Sequence, residues 1–173
     1  MKKNIFYLSI SIFFAFVFSV FYLGLDKPNS YVPKNIKVKN FENFTAADLF
    51  SNEKIDSNQI IKDNKFTLIN IWASWCIPCR REHSILMDLS ESTNLNIIGL
   101  NYKDKNINAI AFLDELGNPF SKILTDSDGV ISISLGAYGV PETFLINNES
   151  KIIKKYIGPL TKENNLEIIK LIK

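Results

Sequence analysis

The sequence is poor in metal-binding side chains. Its 173 residues hold two cysteines, Cys76 and Cys79, and one histidine, His83. A structural zinc site takes four ligands, so one chain cannot complete it and only a half-site closed by a second chain remains open. Covalent haem needs C-x-x-C-H, and Arg80 follows Cys79, which excludes it. Net charge is only +2 and the lysines are scattered, so the composition points to no nucleic-acid partner. Internal repeats and low-complexity tracts are absent. What is present is a 46% hydrophobic composition at a length suited to one ordinary domain, which favours a globular core over disorder.

Charge is also missing from residues 4 to 25, "NIFYLSISIFFAFVFSVFYLGL". A bilayer core needs about 20 helical residues, and a core helix of a soluble domain would carry a polar face where this one has only serines. Lys2 and Lys3 precede the run, so the N-terminus is expected in the cytoplasm and the rest outside it. The candidate cleavage junctions, Ser19-Val20-Phe21 and Tyr22-Leu23-Gly24, place large residues where a signal peptide needs small ones. We therefore expect residues 1–25 to form a cytoplasmic start and an uncleaved transmembrane signal-anchor. Residues 26–40, with two prolines, read as a tether with an edge strand near Ile36 and Val38. Residues 41–173 form the domain, in a compartment where disulfides persist.

Within that domain "TAADLFSNE" reads as the start of a short helix capped by Thr45. "FTLINIWA" from Phe66 is an apolar run of strand length, as a central parallel strand would be. Pro78 suits the first turn of a following helix, with Ile85, Leu86 and Leu89 at helical spacing. A second buried strand covers 95–102, and a helix over 106–117 is closed by Gly117. A short strand near Ile123, a turn at "DSDG" and a helical or irregular piece lead to Gly136. Residues 142–158 split at 147–150 into a hairpin. A last helix over 161–173 starts at Thr161 and places Leu166, Ile169 and Ile172 on one face. This order predicts a three-layer α/β fold with a mixed sheet, a right-handed βαβ unit followed by an antiparallel pair. Cys76 then stands at the carboxyl edge of the sheet, where α/β folds gather their sites.

A copper site of two thiols and a histidine is conceivable, but His83 lies about one turn beyond Cys79, and a partly exposed helix position suits it better. A purely structural disulfide would close a loop of two residues, the least stabilising span available. Redox exchange fits the placement. At a helix start, Cys76 meets unpaired backbone N–H groups and the positive dipole end, and both favour thiolate. Cys79, one turn in, is placed to attack a mixed disulfide formed at Cys76. The order of attack is expected to follow exposure.

The dithiol, the preceding "WASWC" and the later "GVPETF" (139–144) together resemble thioredoxin. "NIWASWCIPCRREH", "GLNYKD" (99–104), "LGNPF" (116–120) and "LGAYGVPETFLI" (135–146) are more closely similar to the membrane-anchored thiol:disulfide interchange proteins of cytochrome c maturation, the DsbE/CcmG family. The similarity fades over residues 26–65. It implies a thioredoxin-like fold, a cis-proline at Pro141 facing the dithiol, and a backbone edge at Val140 for an extended substrate. It further implies disulfide reduction on apocytochrome c or a maturation protein, with electrons from a membrane thiol-redox protein. The domain would face the periplasm from the inner membrane, and no cofactor beyond a redox-active Cys76–Cys79 disulfide, and no metal, is expected.

Thioredoxin itself carries a buried aspartate six residues before its first cysteine; Asn70 stands there and cannot take a proton. A base assisting Cys79 would have to be Glu82, three residues after it on the same helix face, or Glu142 after Pro141. Both match acidic positions of the family. Trp75 and Tyr138 would wall the dithiol, or else be core aromatics. Arg80 and Arg81 either favour thiolate or are merely solvated. The rival readings are a general extracytoplasmic thioredoxin-like reductase and a non-catalytic binder of copper or apocytochrome.

Overall fold

The structure is a computed structural model describing residues 2–25 and 40–173. The chain divides into two compact units, Met1–Asn35 and Ile36–Lys173. The first contains the helix α1 (Lys2–Leu25), whose stretch Lys3–Leu23 is long and apolar enough to cross a membrane and has none of its length buried. It fits a single-pass anchor. The expected tether and its strand near Ile36 and Val38 lie outside the described residues, except for Asn40, which bridges to Lys151.

The second unit runs β1 (Thr45–Asp48), β2 (Lys54–Asp56), α2 (Ser57–Lys62), β3 (Phe66–Trp72), α3 (Ile77–Ser92), β4 (Asn96–Tyr102) and α4 (Asn106–Leu116). It continues with β5 (Lys122–Asp126), α5 (Val130–Ser134), β6 (Glu142–Asn147), β7 (Ile152–Ile157) and α6 (Lys162–Ile172). The strands form one sheet in the order β2-β1-β5-β4-β3-β6-β7. β3 is parallel to β4, β4 is parallel to β5, and β6 and β7 add on antiparallel. This is the mixed, three-layer arrangement expected.

Both faces of β3 are buried, which is why its sequence is apolar without alternation. Leu68 and Trp72 pack with α3, α4 and α6 through Leu86, Leu89, Phe112 and Ile168. Ile69 and Ile71 face the other way, onto Phe41, Ile61 of α2 and Phe144. Asn70, between Leu68 and Trp72, therefore points to the α3 side.

Three local expectations are corrected. Thr45 does not cap a helix; Thr45–Asp48 is a strand paired with both β2 and β5. Burial alternates along it, and Asp48 spends its carboxylate on the Phe50 and Ser51 amides of the next turn instead of on a helix start. The helix α2, capped by Asp56, was not anticipated. Leu166 is exposed, and α6 buries Ile168, with Ile169 and Ile172 half-buried. Steps of three fall short of a 3.6-residue turn, so a face of 165, 168, 169 and 172 wins over one of 166, 169 and 172.

Gly99 on β4 lies against Trp72, whose indole stacks on Phe120 and tilts against Phe112. A Cβ at Gly99 would stand 2.7 Å from the indole nitrogen and 3.0 Å from the Phe120 ring. Gly99→Ala is expected to destabilise the domain by about 1–3 kcal/mol through overpacking. In urea unfolding, Trp72→Phe should relieve part of that cost; an additive pair would refute the clash.

Candidate active site

β3 ends at Trp72, and four residues later the chain enters α3 with Cys76 as its N-cap. Pro78 lies in the first turn, where its missing N–H removes no helical bond. The two sulfurs are joined as a disulfide, with Cα atoms 5.2 Å apart. The Cys79 amide donates to the Cys76 sulfur at 3.1 Å, so the cysteine itself caps the helix. Exposure does not rank the two thiols, as had been expected: Cys76 is 3% and Cys79 2% exposed. The cap bond distinguishes them, because donors at a helix start favour a negative sulfur at Cys76.

The Val140–Pro141 bond is cis. β6 begins at the next residue, with Glu142 paired to Ile71 near the end of β3. This register brings Pro141 to the carboxyl edge of β3 from which the dithiol turn departs. Val140 packs against the cluster that includes Cys76 and Cys79. Trp75 and Tyr138 are both exposed, hence neither is a core aromatic. The Trp75 indole donates to the Lys103 carbonyl at 3.0 Å, and the Tyr138 ring lies 4.7 Å from the Lys155 ammonium.

The two acidic candidates are both buried, each at 1% exposure, but their surroundings differ. Glu82 is inside α3, facing Asn70. Asn70 donates to one carboxyl oxygen at 2.8 Å and the Leu160 amide to the other at 2.6 Å; no cation faces it in an ion pair among the described residues. Burial pushes the Glu82 carboxyl up from 4.5 to about 7, against the opposing pull of the Leu160 and Asn70 bonds. Asn70 also donates to Thr143, its partner across the β3–β6 ladder. Glu142 instead meets Lys155 at 2.7 Å in a buried ion pair and accepts from the Tyr138 and Gly139 amides. Its carboxylate ties down the loop leading to Pro141. Sequence reasoning missed Leu160 and Thr143, brought to Glu82 and Asn70 across long spans of chain, and Lys155, brought to Glu142 by the β6–β7 hairpin.

His83 is a correction. It is buried, not partly exposed; its Nε2 lies 2.9 Å from the Gly117 carbonyl and its ring meets Phe112 edge-on. Burial lowers its pKa, with the Arg80 charge adding to the effect and the Gly117 bond opposing it. Arg80 pairs with Glu115 and lies over Phe112, on the surface rather than directed at the sulfurs. Among the described residues no three or more His, Cys, Asp or Glu side chains form a metal-binding group.

The Redoxin family matches residues 35–169. The thiol:disulfide interchange protein DsbE of Escherichia coli (strain K12) is 33% identical over 164 residues, covering 92% of this chain and 88% of its own. That of Allochromatium vinosum is 34% identical over 151 residues, covering 87% and 82%. The chain belongs to the DsbE family of thiol:disulfide interchange proteins. As a DsbE-family member it is a disulfide oxidoreductase. The solved structure of a thiol-disulfide oxidoreductase from Bacteroides fragilis NCTC 9343 superposes with a TM-score of 0.67 at 18% identity, over 78% of this chain and all of that one. This likeness establishes the thioredoxin-like fold of the DsbE-family domain.

Two tests follow. Glu82 has its pKa raised on folding, so its contribution to stability is full below about 4.5 and is lost as pH rises through about 7. Urea unfolding across that window should show a decline on the order of 2–3 kcal/mol. Glu82→Gln should abolish the decline while losing about 1 kcal/mol for the one bond an amide cannot accept. An unchanged slope would mean that Glu82 titrates normally. Glu142→Gln should instead cost about 3 kcal/mol at neutral pH, because it strands Lys155 in a buried site.

Proposed function

We propose that this chain is a membrane-anchored disulfide reductase of cytochrome c maturation, with its catalytic domain on the periplasmic side of the inner membrane. The observation that carries the reading is the meeting, at one sheet edge, of a helix-capping Cys76 with the cis-Pro141 strand start. The DsbE names of the relatives and the uncharged segment behind two lysines supply the context.

In the reaction, the Cys76 thiolate attacks one sulfur of a substrate disulfide. That S–S bond breaks, the departing sulfur takes a proton, and a mixed disulfide remains on Cys76. Cys79 then gives up its proton and attacks the Cys76 sulfur, releasing the second substrate thiol and closing Cys76–Cys79. Two electrons have passed to the substrate. Glu82 accepts or returns the Cys79 proton, a role matched by a carboxyl titrating near 7. Val140 offers its backbone to the extended substrate, and Pro141 presents no N–H to the sulfurs beside it. Trp75 and Tyr138 give apolar contact on either side. A second membrane thiol-redox protein returns the electrons; the chain itself needs no bound cofactor or metal.

In the reduced protein, Cys76 should alkylate faster than Cys79 at neutral pH, with a thiol pKa below the ordinary value of about 8.5. Equal labelling would remove the cap argument. In the native cell, Cys79→Ser should trap apocytochrome c or a maturation protein on Cys76. Capture of unrelated exported proteins would point to a general reductase. No capture, with copper bound to the unmutated protein, would point to the binder.

A further inference from the structure

Asp104 stands one residue before the N-cap of α4, yet at that helix it accepts only from the cap residue's own amide. The cap residue, Lys105, makes no side-chain bond to the helix start. The Asp104 carboxylate instead reaches across to the turn between β3 and α3. Ser74 donates to it twice, by its amide at 2.6 Å and by its hydroxyl at 2.9 Å. Asn101 Nδ2 at 3.2 Å and the Lys105 amide at 2.8 Å donate as well. Directly beside it, the Lys103 carbonyl accepts the Trp75 indole N–H. Two adjacent residues of one bend thus hold the two residues before Cys76, and the Cys76 amide closes the turn onto Ala73 at 3.2 Å.

The bend is itself held from behind. Lys103 has φ 45°, left-handed for a residue with a side chain, and its amide donates to the Asp126 carbonyl at 3.0 Å. Gly129, at φ 77°, leaves room for it: a Cβ there would stand 2.5 Å from the Lys103 chain and 2.6 Å from the Tyr102 ring. Asp126 is anchored in turn, its carboxylate accepting from the Ile131 and Ser132 amides. A carboxylate that takes two bonds from the dithiol turn and only the cap amide from the adjoining helix is a local sacrifice of the kind found at functional sites.

We infer that Asp104 is a positioning residue for the dithiol: by gripping Ser74 it fixes the turn that delivers Cys76, and so sets how strongly the Cys76–Cys79 disulfide is favoured over the dithiol. The inference rests on the thiol–disulfide activity alone and not on the proposed substrate. A fixed turn raises the effective concentration of one thiol at the other, which stabilises the disulfide.

The test is equilibration of the full chain, in detergent micelles, with glutathione: protein disulfide and two glutathione thiols against protein dithiol and one glutathione disulfide. Asp104→Ala should shift the constant about tenfold toward the dithiol, equivalent to about 30 mV for two electrons. Asp104→Asn should fall between it and the parent, since the amide oxygen still accepts from Ser74. The Trp75 indole N–H should exchange faster in Asp104→Ala than in the parent. A variant that melts earlier but keeps the parent's glutathione constant and indole exchange would overturn the inference. So would Asp104→Asn shifted as far as Asp104→Ala, which assigns the effect to charge and not to position. If Asp104→Ala does not fold, Ser74→Ala decides the matter by removing only the hydroxyl bond: a shift of about two- to threefold in the same direction supports the inference, and none overturns it.

Discussion

The structure depends on the complete burial of β3. With Leu68, Ile69, Ile71 and Trp72 closed on both faces, the strand has a single register against β4 and β6. A one-residue slip would exchange the two hydrophobic sets and send Asn70 to the wrong layer. Because the register is fixed, Ile71 and Trp72 mark a definite place at the sheet edge, and the next residues must turn there into α3. That turn carries Cys76, and Pro141 directly precedes Glu142, the register partner of Ile71. The site therefore takes its geometry from apolar packing that has no chemistry of its own.

Burial also decides what the two carboxylates can do. Both lie at 1% exposure, but a carboxylate out of water must be neutralised, paired or bonded. Glu142 is paired with Lys155 and bonded by two loop amides, which gives it a structural task. Glu82 has donors but, among the described residues, no cation in an ion pair, and burial raises its pKa to about 7. Asn70 tempers that rise by donating to the carboxyl group. An aspartate at that position, 2.8 Å from Glu82, would set two acids against each other, whereas an amide supplies a donor and no charge. The amide that stands where thioredoxin has an acid thus leaves Glu82 as the one titratable carboxyl of this buried pair.

Legibility in the sequence followed the range of the interactions. The N-terminal apolar helix, β3, α3, α4 and the β6–β7 hairpin were readable because apolar run length, periodicity, cap residues and turn residues are local signals. The dithiol and its helix start were readable for the same reason. Thr45 was misread because a Thr before a short apolar stretch suits a helix cap as well as a strand, and only the pairing of Thr45–Asp48 with β2 and β5 separates the two. His83 was misplaced because its burial comes from Phe112 and Phe120, on other elements. The ranking of the thiols by exposure failed because the disulfide is packed under its own helix start, where a cap bond rather than water distinguishes them. Glu82 and Glu142 could be named in advance, but their difference could not, since Leu160 reaches Glu82 from a distant part of the chain and Lys155 meets Glu142 only through the β6–β7 pairing.

A protein that cycles between dithiol and disulfide must not depend on either for its fold. The Cys76–Cys79 bond spans two intervening residues, so the chain entropy it removes from the unfolded state is near the minimum a disulfide can remove. Stability comes instead from the two apolar layers on either side of the sheet, which contain most of the buried side chains. The cap bond to Cys76, the Ser74–Asp104 contacts and the Glu82 bonds then act on a frame that is already secure. Each can alter sulfur reactivity by an amount small against the stability of the core. Separation of fold stability from redox state is what allows electrons to pass through the site while the domain around it stays the same.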